Sequence, residues 1–561
     1  HTQDTGDAMT IKGYDAFLEC LSSEGVHYLF GNPGTTELAI MEALGKQSNI
    51  EYILGLQESI VVAMADGYAR ASGKLAVANV HVAPGLGNAM GSIYNAKFYG
   101  SPVLITAGQQ EQGHGLTEPM LYDPLVPIAQ PLVKWAIECT RIQDLPRIIH
   151  RAVKIALTPP MGPVFLSLPG DVLDSSADIE IGKPTRVNTQ VLPNLETLNE
   201  LSKAILAAQN PAIVAGHEIA STNALDEAGD LALTIGAAVF QQTVPYSAQF
   251  KSEHPAFLGA LSRNQSICRQ QLETHDLVIF LGSDVLRMSV FSEIDPLPSH
   301  IKIIQISERD WELGKNYSAE FAIRAHVKET TKALADLLKN TMSDDQKSKA
   351  TQRISDIKNR NWSAQRTQRI DQASTFDDVK PINSLKLVME LVKAIPEDCV
   401  VLEEALSTSA NLLNYLALKD HQGFFGLASG GIGFAMGGAI GVSLALPDRP
   451  VVALVGDGSS MYSIQALWTA AHLNRPITYV IPNNQGYKII KQRLMSFRGI
   501  DKYIGMDLTH PTIDYVKLAE SMGVPAIRIH DPADLNDAIR LATRSNKTNL
   551  IEVMMSPDIN T

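Results

Sequence analysis

The sequence predicts an α/β protein made of three doubly wound, parallel-sheet domains. Three observations predict this. The chain has 561 residues, more than the ~250–300 that a single core normally supports. Short apolar runs alternate with amphipathic helical stretches along most of its length, as expected when a parallel sheet is covered by helices on both faces. That alternation is interrupted by two polar stretches. They divide the chain into 10–182, 190–340 and 381–561, with a linker over 341–380, and each unit has a normal domain size.

In the first unit the amphipathic stretch YDAFLECLSSEG precedes the strand VHYLFG. Further strands are expected at KLAVANVHV, SPVLITAG and GPVFLSLP, each ending near Gly or Pro. A polar stretch over 181–193 reads as the first linker. The second unit has strands at PAIVAG, DLVIFLG and IKIIQIS. The segment DDQKSKATQRISDIKNRNWSAQRTQRIDQ that follows is charged and lacks a continuous apolar stripe, which predicts a surface helix and linker. The third unit has strands at CVVLEEA, PVVALVGDG, ITYVIPN and LIEVMM. The leading HTQDTGDAM is polar, without a signal-peptide core, and reads as a disordered lead or an expression remnant.

Composition excludes several function classes. Apolar residues make up 45% and charged residues 19%, with a formal net charge of -13. That charge disfavours nonspecific binding to nucleic acid or to an anionic membrane. Cys20, Cys139, Cys268 and Cys399 show no CxxC spacing, so a disulfide framework or zinc site is not expected and a reducing cytoplasm fits. No apolar run reaches the ~18 residues of a membrane helix.

The strongest motif is PVVALVGDGSS, an apolar strand entering Gly456, Asp457, Gly458 and Ser459. A second apolar strand, ITYVIPNNQGY, ends at Asn483 and Asn484. The 24 residues between Gly458 and Asn483 suffice for one crossover helix, MYSIQALWTAAHLN. Both loops therefore fall at the carboxyl ends of parallel strands, where open α/β sheets bind ligands. Asp457 offers a carboxylate, Asn484 an amide oxygen and Gly486 a backbone carbonyl. A magnesium-type ion takes such oxygens and shares them with phosphate. The glycines admit backbone amides to the phosphates, and Ser459 adds a hydroxyl.

This pairing resembles the diphosphate-binding signature of thiamine-diphosphate enzymes. The segments LFGNPGTTE, LQESIVVAMADGYA, HVAPGLGNAMG, ITAGQQ, PLVKWA, ASGGIGFAMGGAIG and GDGSSMYSIQALWTAA extend it over the whole chain and are similar to benzoylformate decarboxylases. The resemblance implies thiamine diphosphate and magnesium as cofactors. It makes the first unit pyrimidine-binding, the second a structural central domain and the third diphosphate-binding. It also implies an active site between the first unit of one subunit and the third of its partner, hence a homodimer at minimum and, by family habit, a homotetramer. The substrate class is a 2-oxo acid or an aldehyde.

Glu58 lies in the apolar context ILGLQESIVVAMA, which suits a carboxyl that shares a proton. The resemblance gives it the aminopyrimidine, whose imino tautomer it promotes so that the thiazolium carbon loses its proton. His81 ends the strand VANVHV and is either a proton-transfer group or a satisfied structural histidine. Thr35, in GNPGTTE after Pro33 and Gly34, is either a substrate-contacting hydroxyl or a helix cap. Ile432 matches the bulky residue that bends the cofactor, and the Gly430 carbonyl matches the acceptor of its exocyclic amine. Ser407 matches a hydroxyl on the diphosphate side, beside Leu406 where the family has a polar residue. Gly456, Gly458, Tyr462 and Tyr487 complete the expected cofactor contacts. The runs GLGNAMG and GGIGFAMG lack GxGxxG spacing, which argues against nicotinamide binding.

Two departures from the family bear on substrate. A second active-site histidine of the family has its best match near Ser289, where this chain has none. After the metal loop the chain reads YKIIKQR, placing Ile489 and Arg493 where the family has small and aromatic residues. Arg493 either faces solvent on a basic helix or favours a substrate carboxylate or phosphate. The expected activity is non-oxidative decarboxylation of a 2-oxo acid. The alternatives are a carboligase or acyloin-forming lyase similar to acetolactate synthase, and, in a different class, a noncatalytic α/β assembly protein.

Overall fold

The computed structural model describes residues 9–561; the N-terminal lead lies outside them. Three separate six-stranded sheets, every pairing parallel, carry the three units expected from the sequence. The first sheet contains Tyr28–Gly31, Glu51–Leu54, Ala76–His81, Val103–Gln109, Ala136–Glu138 and Val164–Pro169. Its spatial order is second, first, third, fourth, sixth, fifth. The third sheet contains Val400–Glu404, Phe424–Phe425, Val451–Val455, Ile477–Asn483, Ala526–Ile529 and Asn549–Met554, and has the same order. The central sheet, Pro211–Ala215 through Phe321–Arg324, runs third, second, first, fourth, fifth, sixth, the order of dinucleotide-type α/β folds. A short antiparallel pair, Met9–Lys12 with Ser176–Ile179, ties the two ends of the first unit together.

Central strands such as Val451–Val455 and Leu277–Leu281 are buried at every position. This is why they read as unbroken Val/Ile/Leu runs rather than alternating ones. The segment 341–380 folds into two helices, Asp344–Ile357 and Trp362–Ser374. The buried Trp362 donates Nε1–H to the Leu413 carbonyl at 2.9 Å and so pins this segment to the third unit.

The first and third units pack directly within one chain. The helix Glu58–Ser72 lies against the helix Ala435–Ala445. A Cβ at Gly67 would stand 2.2 Å from the Gly438 carbonyl oxygen, so the close crossing requires glycine. Arg70 forms a bidentate pair with Asp66 at 2.9 Å and donates to the Gly426 carbonyl at 2.9 Å. Its guanidinium lies over the rings of Tyr99 and Phe434. The buried charge is thus paired and clamped across the domain boundary.

Candidate active site

The functional residues gather at the carboxyl ends of the first and third sheets. In the third unit, Val451–Val455 ends at Gly456 and a one-turn helix, Asp457–Ser460, follows. The next strand, Ile477–Asn483, delivers Asn484, Gln485 and Gly486 beside it. Asp457 is buried, and its Oδ2 accepts from the Gly486 amide at 3.1 Å. Burial pushes its carboxyl up to about 6, against the backbone amides that hydrogen-bond it. The Asn484 amide oxygen faces the Gly486 carbonyl oxygen at 2.7 Å and Asp457 Oδ1 at 3.3 Å. Turning the amide over would convert both contacts into hydrogen bonds. With its oxygen turned inward, the Asn484 amide would join Asp457 Oδ1 and the Gly486 carbonyl in an oxygen donor set that suits one hard cation.

The surrounding loops supply the rest of the expected cradle. Ser459 is buried, and Tyr487 packs so closely on Gly458 that a Cβ there would lie 2.7 Å from its ring. Tyr462 is 59% exposed. Ser407 is half-buried in the loop after Val400–Glu404. Gly430 adopts a φ of 82° and is exposed, while Ile432 is half-buried.

In the first unit, Glu58 opens the helix Glu58–Ser72 and accepts from Asn88 Nδ2 at 3.0 Å. The apolar setting read from the sequence leaves Glu58 half-buried in one chain rather than enclosed. His81 ends its strand, with Nδ1 2.8 Å from Glu37 Oε2 and 3.2 Å from Thr36 Oγ1. Glu37 thereby occupies Nδ1, leaving Nε2 for another partner. Gly34 packs against this ring; a Cβ there would meet Nδ1 at 2.1 Å. Pro33 and Thr35 are exposed. Thr35 opens a 3₁₀ turn, but the cap is supplied by Glu37, whose Oε2 accepts from the Gly34 amide at 3.1 Å.

Two buried carboxylates that organise the site were not picked out by sequence reasoning. Glu37 also accepts from Thr36 Oγ1 at 2.8 Å and the Gly108 amide at 3.0 Å. Burial raises its carboxyl above the usual range, while Thr36 and His81 pull it back. Glu404 accepts from the amides of Gly433, Phe434 and Ala435 at 3.0, 2.8 and 3.1 Å, fixing the loop that carries Gly430 and Ile432. Burial pushes Glu404 up to about 7. Signals for both existed: Glu37 stands three residues after a loop glycine, as in a capping box, and Glu404 ends an otherwise apolar strand.

Three non-glycine residues at the site have positive φ: Val82 at 41°, Leu406 at 38° and Gln485 at 59°. They follow or flank His81, Ser407 and the Asn484/Gly486 pair. Such backbone costs about 1–3 kcal/mol per residue and gathers where a site over-determines it. Ser289 and Arg493 line one common cavity; Ile489 is half-buried on the same helix as Arg493, outside that lining.

Residues 11–121 match the thiamine pyrophosphate enzyme N-terminal TPP binding domain. Residues 198–334 match the central domain of the same enzymes, and residues 407–553 the C-terminal TPP binding domain. The chain is 30% identical over 547 residues to a benzoylformate decarboxylase of Pseudomonas aeruginosa, covering 96% of this chain and 98% of that one. It is 26% identical over 540 residues to an acetolactate synthase large subunit of Buchnera aphidicola, covering 95% and 92%. Among solved structures it is similar to the thiamine diphosphate-dependent 4-hydroxybenzoylformate decarboxylase of Rhodococcus jostii RHA1. That likeness has a TM-score of 0.86 and 29% identity, and covers 98% of this chain and 100% of the other. The chain belongs to the thiamine pyrophosphate enzyme family, as a thiamine-diphosphate-dependent enzyme similar to benzoylformate decarboxylases and acetolactate synthases.

Proposed function

We propose that this protein is a thiamine-diphosphate- and magnesium-dependent lyase that decarboxylates a 2-oxo acid without oxidation. The observation that carries the metal is the three-oxygen focus of Asp457 Oδ1, Asn484 and the Gly486 carbonyl, next to glycines that admit a diphosphate. A divalent ion held there would supply the positive countercharge that the buried Asp457 carboxylate otherwise lacks. When bound, thiamine diphosphate supplies a carbon nucleophile and an electron sink for cleaving the bond next to a carbonyl.

The residues divide the remaining work. Gly456, Gly458, Ser459 and Ser407 receive the diphosphate. Ile432, on the loop that Glu404 holds, would support the cofactor's ring system, and the Gly430 carbonyl would accept from its exocyclic amine. Glu58 would hold and exchange a proton with the aminopyrimidine of the bound cofactor. His81, with Nδ1 held by Glu37, presents Nε2 for proton transfer at the substrate oxygen, and Thr35 offers a hydroxyl beside it. Tyr462 and Tyr487 flank the cradle.

The site is assembled by two copies of the chain, at least as a homodimer and with a homotetramer as the fuller assembly. Among the described residues of one chain, Glu58 finds only Asn88 as a side-chain hydrogen-bond partner. Leu116 and Met120 of the first unit are 93% and 85% exposed, an apolar surface that a partner covers. Four buried free thiols fit a reducing, cytoplasmic setting. No helix among the described residues is long and apolar enough to cross a membrane.

The similarity to acetolactate synthase and the serine where the family's second histidine is expected support carboligation as the second reading. A screen of 2-oxo acids, recording both carbon dioxide and the organic product, tests both. Aldehyde release supports the lyase and acyloin accumulation the carboligase. No carbon dioxide from any 2-oxo acid, with thiamine diphosphate bound, overturns the decarboxylation reading.

A further inference from the structure

The substrate class can be narrowed, resting on the reading above that a 2-oxo acid is bound. A cavity of about 440 Å³ lies between the central and third units. Three segments far apart in sequence wall it. Arg263 and Ser266 come from the start of the Gln265–Leu272 helix region. Ser289 and Phe291 come from the stretch after Leu277–Leu281, and Arg493 and Phe497 from Lys488–Arg498.

Two connections tie this cavity to the candidate active site. The helix bearing Arg493 is capped by Tyr487, which packs on Gly458, and Arg493 stands roughly 9 Å further along its axis at 1.5 Å per residue. On the opposite side, just outside the lining, Arg287, two residues before Ser289, donates Nη2–H to the Ala428 carbonyl at 2.8 Å, two residues before Gly430. The cavity therefore opens beside the loops that carry the cofactor-contacting positions.

Its charge is unbalanced. Among the described residues, neither Arg263 nor Arg493 has a carboxylate within the 4.0 Å of an ion pair. The Arg493 guanidinium carbon lies 5.6 Å from the centre of the Phe497 ring. Arg263 reaches solvent at the mouth, yet surrounding protein lowers its guanidinium from the ordinary value. Glu403 opposes that shift, and the nearby charges of Arg493 and Arg287 add to it. Glu403 is itself engaged by Ser409 Oγ at 2.6 Å. Two guanidinium groups on one space repel unless an anion joins them, and their planar forks match a carboxylate or phosphate. Both arginines are exposed in one chain, and Phe291 and Phe497, 87% and 51% exposed, flank the open mouth with apolar surface for the carbon skeleton between.

We propose that this cavity is the distal substrate pocket and that Arg263 and Arg493 select a 2-oxo acid with a second carboxylate or phosphate at its far end.

The test compares benzoylformate with 4-carboxybenzoylformate and 4-phosphonobenzoylformate, which add one anionic group to the same ring. The holoenzyme should prefer an anionic-tailed substrate in kcat/KM, and whichever group is favoured identifies the natural one. Arg263→Met and Arg493→Met keep the aliphatic stems and remove the charge. Each should lose about tenfold on the preferred substrate and stay within about twofold on benzoylformate. No preference in the wild type, or equal losses on all substrates, overturns the proposal. A second arm measures calorimetric binding of terephthalate and benzoate, which carry no 2-oxo group. If no 2-oxo acid is turned over, the decarboxylation reading fails, while tighter terephthalate binding that both variants lose still supports the anion pocket. Terephthalate bound no better than benzoate, or unaffected by both substitutions, overturns the pocket itself.

Discussion

The first and third units share one strand order, yet they end in different chemistry. After the third strand, the first unit places His81 and the third unit Gly456 and Asp457. The connection after the second strand carries Glu58 in the first unit and Gly430 and Ile432 in the third. Both units fix their loops with a buried carboxylate on backbone amides, Glu37 in one and Glu404 in the other. The topology therefore supplies two equivalent rims. Side-chain type alone makes one rim suited to proton transfer and the other to a cation and a diphosphate.

Exchanging the decisive carboxylates tests this division. The largest effect is expected at Glu58. Glu58→Gln keeps the shape but cannot exchange the proton, so turnover should fall ~10²–10⁴-fold with cofactor affinity nearly intact. Proton exchange at the thiazolium carbon, followed by NMR, reports this directly; a wild-type exchange rate would assign activation to another group. Asp457→Ala should do the reverse and remove cofactor affinity. The loss should exceed the roughly 10–100-fold that outer-shell metal partners cost. Titration of thiamine diphosphate with and without magnesium reads it, and an unchanged affinity sinks the cation site.

Glu404 tests the loop device by its pH dependence. Its folded carboxyl sits at about 7, above the ordinary value of 4.5. A raised folded value means stability present below the unfolded value and lost as pH climbs through about 7. The loss at high pH is at most about 3 kcal/mol. Glu404→Gln removes the titration but sets an NH2 against one of the amides, so it should be less stable than the wild type near pH 5, with the gap narrowing by pH 8. Melting curves at both pH values decide; a gap that does not narrow from pH 5 to pH 8 would mean that Glu404 does not titrate across this range. The smallest effect is expected at Gln485, where φ is 59°. Gln485→Gly relieves left-handed strain but adds unfolded-chain entropy, so stability should change by less than about 1 kcal/mol. A loss larger than that, seen by calorimetric melting, would show that its side chain, not its backbone, supports the metal loop.

Much of this was legible beforehand for a physical reason. Buried parallel strands must be continuous apolar runs, so Val451–Val455 and Ile477–Asn483 announced themselves, and the polar ends of those runs marked where chemistry sits. The order of the sheets, the pairing of His81 with Glu37, and the meeting of Arg263 with Arg493 were not legible. Each joins residues separated by tens or hundreds of positions, and no local periodicity encodes such a meeting. Nor could sequence alone foresee that Thr35 would leave the cap to Glu37, since both residue types satisfy helix ends equally well on paper. The sequence by itself determined the domain count, most of the interior strands and the family's cofactor signature, because these follow from residue type and spacing, whereas the short edge strands such as Glu51–Leu54, Ala136–Glu138 and Ala526–Ile529 carry no continuous apolar run and were missed. Tertiary structure decided which carboxylates are buried, which backbone is strained and which arginines share a cavity, because burial and charge pairing exist only once distant segments have packed.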